Sequence, residues 1–272
     1  MRLWILSDLH ISTAVARTGT MFDDAIPDAD VAVIAGDITE GVEEAITWLS
    51  RTITRRMPVV YVLGNHEFYG EYLDEARRVA QAQAARVPNL HLLDDSTAMI
   101  DGVRFIGATL WTDYRLYSHG ERTRQLVAMH NARSRIIDYH QILMEPAQPG
   151  FIARNFLPSD ALELHKLSCA YIEDQLTVEI DGPTVVVTHH APHRQSSHPH
   201  FDGDPATPAF VSDLSSLIDL GQPTLWVHGH THHNVDYVLT PLDGPPTRVV
   251  ANQRGYQGVE IPGFDWRFVV EV

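Results

Sequence analysis

Val59-Val60-Tyr61-Val62-Leu63-Gly64-Asn65-His66-Glu67 is the stretch on which the fold reading turns. Five apolar residues in a row, closed by a glycine, read as a strand buried on both faces. An amphipathic helix follows, with Tyr72, Leu73, Ala76, Val79 and Ala80 at helical spacing. The same pattern lies upstream. Residues 31–35 form an apolar run ending at Gly36-Asp37, followed by Val42, Ala45, Ile46, Leu49 and Ile53 at helical spacing. Residues 2–7 alternate and run into Ser7-Asp8. The first 90 residues therefore read βαβα, the mark of a layered α/β fold.

Further along, residues 97–110 read as a hairpin turning at Asp101-Gly102. Helices are expected over 126–139, over 159–176 from a Ser159-Asp160 cap signal, and from Pro208 to Gly221. Strands are expected at 184–188, 225–227, 235–239, 248–251 and 267–272, with a loop at 146–150 and a His-rich loop at 193–207. No linker divides the chain, so residues 1–272 read as one domain.

The formal charge of −15 repels nucleic acid over most of a surface, and no dense basic run offsets it. No apolar run approaches the ~20 residues of a membrane helix. The N-terminal apolar stretch is too short for a signal peptide and meets Asp8 at once, so the expected location is cytoplasmic. Cys169 is the only cysteine, which excludes an intrachain disulfide and Cys-rich zinc sites.

Five apolar runs end in metal-ligand residue types: Asp8-Leu9-His10, Gly36-Asp37, Gly64-Asn65-His66-Glu67, His189-His190 and His228-Gly229-His230. In open α/β sheets ligands bind just past the carboxyl ends of strands, so parallel neighbours would bring these tips together. Imidazole and oxygen donors without thiolate suit Mn, Fe or Zn. A carboxylate between two close cations offsets their repulsion. Each motif alone has a plainer reading, as a strand-end cap, a turn or a solvated loop. Their order and their repeated placement after apolar runs carry the metal reading. The residues alone leave open whether His189 or His190 is the ligand. His193, His198, His200, His232 and His233 read as loop or rim, and Asp202 and Asp204 as solvated.

Asp-x-His, Gly-Asp, Gly-Asn-His-Glu, Thr-His-His-Ala-Pro and Gly-His-Thr-His, in that order across residues 8–232, resemble the motif set of the calcineurin-like metallophosphoesterases. Asn252-Gln253-Arg254-Gly255-Tyr256 is similar to a turn found in many bacterial members. The resemblance implies a four-layer α/β/β/α sandwich, two mixed sheets flanked by helices. It implies two divalent or trivalent ions, about 3.5–4 Å apart. Asp8, His10 and His230 would hold one, and Asn65, His189 and His228 the other, with Asp37 bridging. His66 and Asp37 would be the catalytic residues. The implied activity is hydrolysis of small phosphodiesters or phosphomonoesters by a hydroxide held between the ions. A non-catalytic scaffold of the same fold and a nuclease are the alternatives. The retained ligand set argues against the first and the acidic balance against the second. Residues 111–157 are too long for a simple connection and read as a cap facing the 193–207 loop. There Trp111 would meet the leaving group and Arg133 or Arg135 a phosphate oxygen.

Overall fold

The computed structural model describes residues 1–18, 26–146 and 152–272. The loop expected at 146–150 lies, past Pro146, outside the described residues. Among them the strands are β1 (Arg2–Leu6), β2 (Val31–Ile34), β3 (Val59–Tyr61), β4 (Leu90–Leu92), β5 (Ser96–Ile100), β6 (Val103–Ala108), β7 (Leu143–Met144), β8 (Arg154–Asn155), β9 (Thr184–Thr188), β10 (Leu225–Val227), β11 (Val235–Leu239), β12 (Thr247–Ala251) and β13 (Val269–Glu271). The helices are α1 (Thr13–Thr18), α2 (Val42–Arg51), α3 (Leu73–Ala84), α4 (Arg122–Arg135), α5 (Asp138–Gln141), α6 (Pro158–Thr177) and α7 (Ser215–Gly221).

One sheet has the order β13-β1-β2-β3-β4 and the other β11-β12-β10-β9-β6-β5. The centre of each is parallel, while β13, β11 and β5 join antiparallel at the edges. The period of two along a strand explains the layering. Ile5, Val33 and Val60 turn toward Phe105, Val185, Val187 and Val227, the seam between the sheets. Their neighbours Trp4, Ala32, Ile34 and Val59 face the opposite way, onto α2 and α3. On the other sheet, Ile106, Val186 and Trp226 face Ile172 of α6 and Ile218 of α7. The result is helices, sheet, sheet, helices, the mixed four-layer arrangement expected. No helix among the described residues is long and apolar enough to cross a membrane.

Two helix readings change. The 126–139 helix is displaced to α4, and the two β-branched residues Ile136 and Ile137 separate it from α5. The helix expected from Pro208 begins only at Ser215. Residues 210–214 are held by the 191–192 segment instead: Ala191 N and Ser212 N bond across to Phe210 O and Ala191 O, and Leu214 N reaches Pro192 O at 2.8 Å. That frees Phe210 to turn toward the site. Helix α6 starts at Pro158, with Asp160 accepting from Leu157 N at 2.9 Å.

Arg104 ties β6 to the end of α6. Its guanidinium donates to the carbonyls of Gln175 and Val178, both at 2.8 Å, and to the Thr184 hydroxyl. The last carbonyls of a helix otherwise lack partners. We expect Arg104→Ala to cost about 1–2 kcal/mol, as half-buried acceptors lose a charged donor. Denaturant titration checks the loss.

Candidate metal centre

Several of the strand ends carry strained backbone. Asp8 (φ 50°), His10 (φ 41°), Asp37 (φ 56°), His230 (φ 68°) and His232 (φ 48°) all sit in the left-handed region. For a non-glycine residue that costs about 1–3 kcal/mol, and it persists only where the surroundings enforce it. Close approach does so here. A methyl group at Gly36 would strike the His189 ring, and one at Gly64 the Asp37 carboxylate. Buried Glu67 pins the two loops together, accepting from Asp37 N at 3.0 Å, Ile38 N at 2.7 Å and Gly64 N at 2.7 Å.

The carboxylates and imidazoles meet in three groups among the described residues. They are Asp8, His10 and His232; His10, Asp37 and His66; and Asp37, His189 and His230, with donor atoms within 4.8 Å of one another in each. Asp37 belongs to two groups, and its oxygens divide between them. Oδ2 lies 3.8 Å from His10 Nε2 and 3.9 Å from His66 Nε2, whereas Oδ1 lies 3.5 Å from His189 Nε2. Asp8 is fixed by the backbone N–H of His230 at 3.0 and 3.1 Å. His189 Nδ1 sits 2.8 Å from the Ala35 carbonyl, which assigns its proton there and leaves Nε2 a lone pair, 2.9 Å from Asn65 Oδ1.

The structure divides the last two histidines differently from the expectation. His230 joins Asp37 and His189 rather than Asp8 and His10. His232, read as a rim residue, reaches Asp8 at 3.4 Å and His10 Nε2 at 3.1 Å. His228 is buried and its Nδ1 lies 2.9 Å from the Gly229 carbonyl, but it is in none of the three groups. His190 lies behind the centre, against Trp111 and His230, with Nδ1 3.1 Å from the Thr109 carbonyl.

A cleft of ≈ 430 Å³ opens over Asp37, Asn65 and His66. Residues 135–138 form one wall and residues of the 197–207 segment the other, with Phe210 and Tyr256 between. Trp111 does not line it; the ring is buried against Phe156 and Phe68. Arg133 is exposed outside the lining, while Arg135 is part of it and pairs with Asp204 at 2.6 and 3.0 Å. Asp204 is thus ion-paired across the cleft.

The site is built for neutral imidazoles. Burial lowers His10 to about 4, His66 to about 3 and His228 to about 4, with neighbouring His10 and His189 adding to the shift at His66. Burial likewise pushes His189, His190 and His230 down. Burial also pushes Asp37 up, reinforced by Glu67 and Asp8. At Asp8 burial pushes upward too, but the His232 hydrogen bond and the neighbouring imidazoles hold it below the ordinary range. A histidine neutral when folded and protonated when unfolded makes the unfolded state the one that binds more protons. Stability then rises with pH and is lost as pH falls below about 6.5 toward each folded value. Each imidazole contributes up to ~1.4 kcal/mol per pH unit in that window. The raised carboxylates oppose this, but the imidazoles outnumber them. The metal-free protein should therefore lose roughly 5 °C or more of melting temperature between pH 6.5 and 5. Calorimetry in chelator would show a flat or rising profile if the histidines are not held neutral.

The donor set fits metal ions. His230 Nε2 is buried with no hydrogen-bond partner, close to the Asp37 carboxylate and His189. His228 Nε2 is likewise without a partner; a buried ring nitrogen left unpaired is costly, and a cation satisfies one that carries the lone pair. The oxygen and nitrogen donors match first-row ions.

Several of these residues were given no place at the centre from the sequence. His232 lies in the very Gly229-His230-Thr231-His232 run that carried the resemblance. Tyr256 packs 4.4 Å from His10 and 4.8 Å from His232, ring to ring, with its hydroxyl 3.4 Å from His66 Nε2. Gln253 takes the His232 N–H at 2.6 Å. Tyr69 and Asp138 bracket the Asn65 amide.

Comparison with known proteins identifies the family. An uncharacterized protein of Acanthamoeba polyphaga mimivirus is 26% identical, over 92% of this chain and 90% of its own. The crystal structure of a phosphopantetheinyl hydrolase from Mycobacterium tuberculosis superposes with a TM-score of 0.63 at 20% identity, covering 93% of this chain and 89% of that one. A purple acid phosphatase from yellow lupin (Lupinus luteus) seeds gives 0.47 at 13% identity, covering 96% of this chain and 46% of that one. The sequence profile of the calcineurin-like phosphoesterases matches residues 1–234. The chain belongs to the calcineurin-like phosphoesterase family and is a metal-dependent phosphoester hydrolase.

Proposed function

We propose that this chain hydrolyses small phosphoesters, diesters ahead of monoesters, at a centre of two metal ions. The observation that carries the reading is Asp37, whose two oxygens face separate imidazole groups. Asp8, His10 and His232 would hold one ion, Asn65, His189 and His230 the other, and Asp37 both. Mn, Fe or Zn ions held there supply Lewis acidity and an activated water. The rest falls to side chains. His66 is neutral near pH 7, and in its Nε2–H tautomer it would donate a hydrogen bond toward the phosphoryl or leaving oxygen, with the Tyr256 hydroxyl beside the same nitrogen restraining the ring. Residues 135–138 act as the cap wall. Arg135, the one arginine or lysine lining the cleft among the described residues, is already paired with Asp204. A second negative charge on the substrate therefore meets no unpaired arginine or lysine in the cleft lining, which favours the singly charged diester. The ≈ 430 Å³ cleft suits a small leaving group, and the acidic surface disfavours duplex DNA.

The test is hydrolysis of bis(4-nitrophenyl) phosphate against 4-nitrophenyl phosphate with added Mn, Fe or Zn. Pantetheine phosphoesters belong in the same panel, because the mycobacterial neighbour is a phosphopantetheinyl hydrolase. We expect kcat/KM for the diester to be higher by roughly tenfold, and lost on chelation. A monoester preference would reverse the substrate order, and no hydrolysis with any metal would reject the reading. In the same assay Arg135→Ala should raise KM several-fold, because Asp204 left alone repels an anion. Arg133→Ala should leave KM unchanged.

A further inference from the structure

Asn65 presents its oxygen to the centre only because something else holds its nitrogen. Nδ2 donates to Asp138 Oδ1 at 2.8 Å and to the Tyr69 hydroxyl at 3.0 Å. Tyr69 in turn donates to the same Asp138 oxygen at 2.6 Å. Asp138 is buried, and the triangle forms a half-buried part of the cleft wall. An amide has two faces of similar shape, and a carboxyl oxygen accepts only from its N–H side. Asp138 belongs to the 111–157 segment, far along the chain from the motif that carries Asn65. That segment is also stitched to the loop after His66: Gly70 N donates to Gln141 O at 3.0 Å and Leu143 N to Glu71 O at 2.9 Å.

We propose that Asp138 is a positioning residue for the metal centre, fixing the Asn65 amide so that Oδ1 faces the ion. The cap segment is then a structural part of the centre. Its α5 end cannot swing away without releasing Asn65, and substrate enters past the Arg135–Asp204 pair instead. The inference rests on the reading of Asn65 as a ligand.

The experiment measures Mn²⁺ binding to metal-stripped protein by EPR of the free ion, alongside circular dichroism. Asp138→Ala should weaken one of two sites about 10- to 100-fold, the usual effect of losing a partner behind a ligand. Asp138→Asn keeps an accepting oxygen and should stay near the native affinity. Charge-swap variants guard against misfolding. Asn65→Asp alone places two carboxyl groups together and should bind poorly. Adding Asp138→Asn to it restores a donor–acceptor pair and should recover binding at least tenfold. Native affinity in Asp138→Ala, or no recovery in the double variant, overturns the proposal. Native two-site affinity in Asn65→Ala would instead overturn the ligand reading beneath it.

Discussion

If the proposed centre holds two ions, Asp37→Ala should abolish turnover and empty both sites together. Its oxygens face His10 and His66 on one side and His189 on the other, so no substitution elsewhere reaches both groups. Losing several kcal/mol of charge stabilisation corresponds to roughly 10³-fold or more in rate. Stability should move the opposite way in the metal-free state. Burial, Glu67 and Asp8 all disfavour charge on Asp37, so Asp37→Asn relieves that repulsion and should raise the melting temperature in chelator. Metal at a hundred times its Kd stabilises a folded protein by about 2.7 kcal/mol. The native chain should show that gain and the Asp37→Asn variant should not. Metal content and thermal melts, with and without Mn²⁺, decide the matter. A variant that still binds two ions would end the bridging role.

His66→Ala should cost roughly 10²–10⁴ in kcat while leaving metal content intact, the usual size of an acid–base contribution. His66 sits close enough to Asp37 and His10 to serve as a ligand, so activity alone cannot distinguish the roles. Its place in the cleft lining and the hydroxyl of Tyr256 3.4 Å from Nε2 favour a substrate-facing ring. Loss of an ion in the variant would make it a ligand. Tyr256→Phe should give a smaller drop of the same kind, since it releases the ring without removing it.

The layering was readable because each central strand is buried on both faces. Val31 to Ala35 and Val59 to Leu63 leave no polar residue to suggest an exposed side, and a run of that kind fits few folds. The strand-end motifs were readable for the same reason, since polar residues at the end of an apolar run stand out. The register of the last motif was not. His-x-His occurs at 228 and 230 and again at 230 and 232, and only the folded chain brings His232 beside Asp8 and His10 and His230 beside Asp37 and His189. Asp138 left no trace in the sequence, because its partner Asn65 is 73 positions away and only the tertiary fold joins them. Trp111 misled for a related reason. A tryptophan just past a strand reads equally as a cleft wall or a core residue, and the packing of Phe68, Phe156 and His190 around it settles the second.

The proposed donors come from both sheets: Asp8, His10, Asp37 and Asn65 from beyond β1, β2 and β3, and His189, His230 and His232 from beyond β9 and β10. Ions bound there would act as a reversible cross-link across the seam of Ile5, Val33, Phe105 and Val187. None of these donors is assembled in an unfolded chain, so the free energy of binding becomes free energy of folding. Proteolysis follows the population of opened chains when opening and closing are fast. A cell short of the metal would then hold a less active pool of this protein and also a smaller one, because the same ions that serve turnover would guard the chain from degradation.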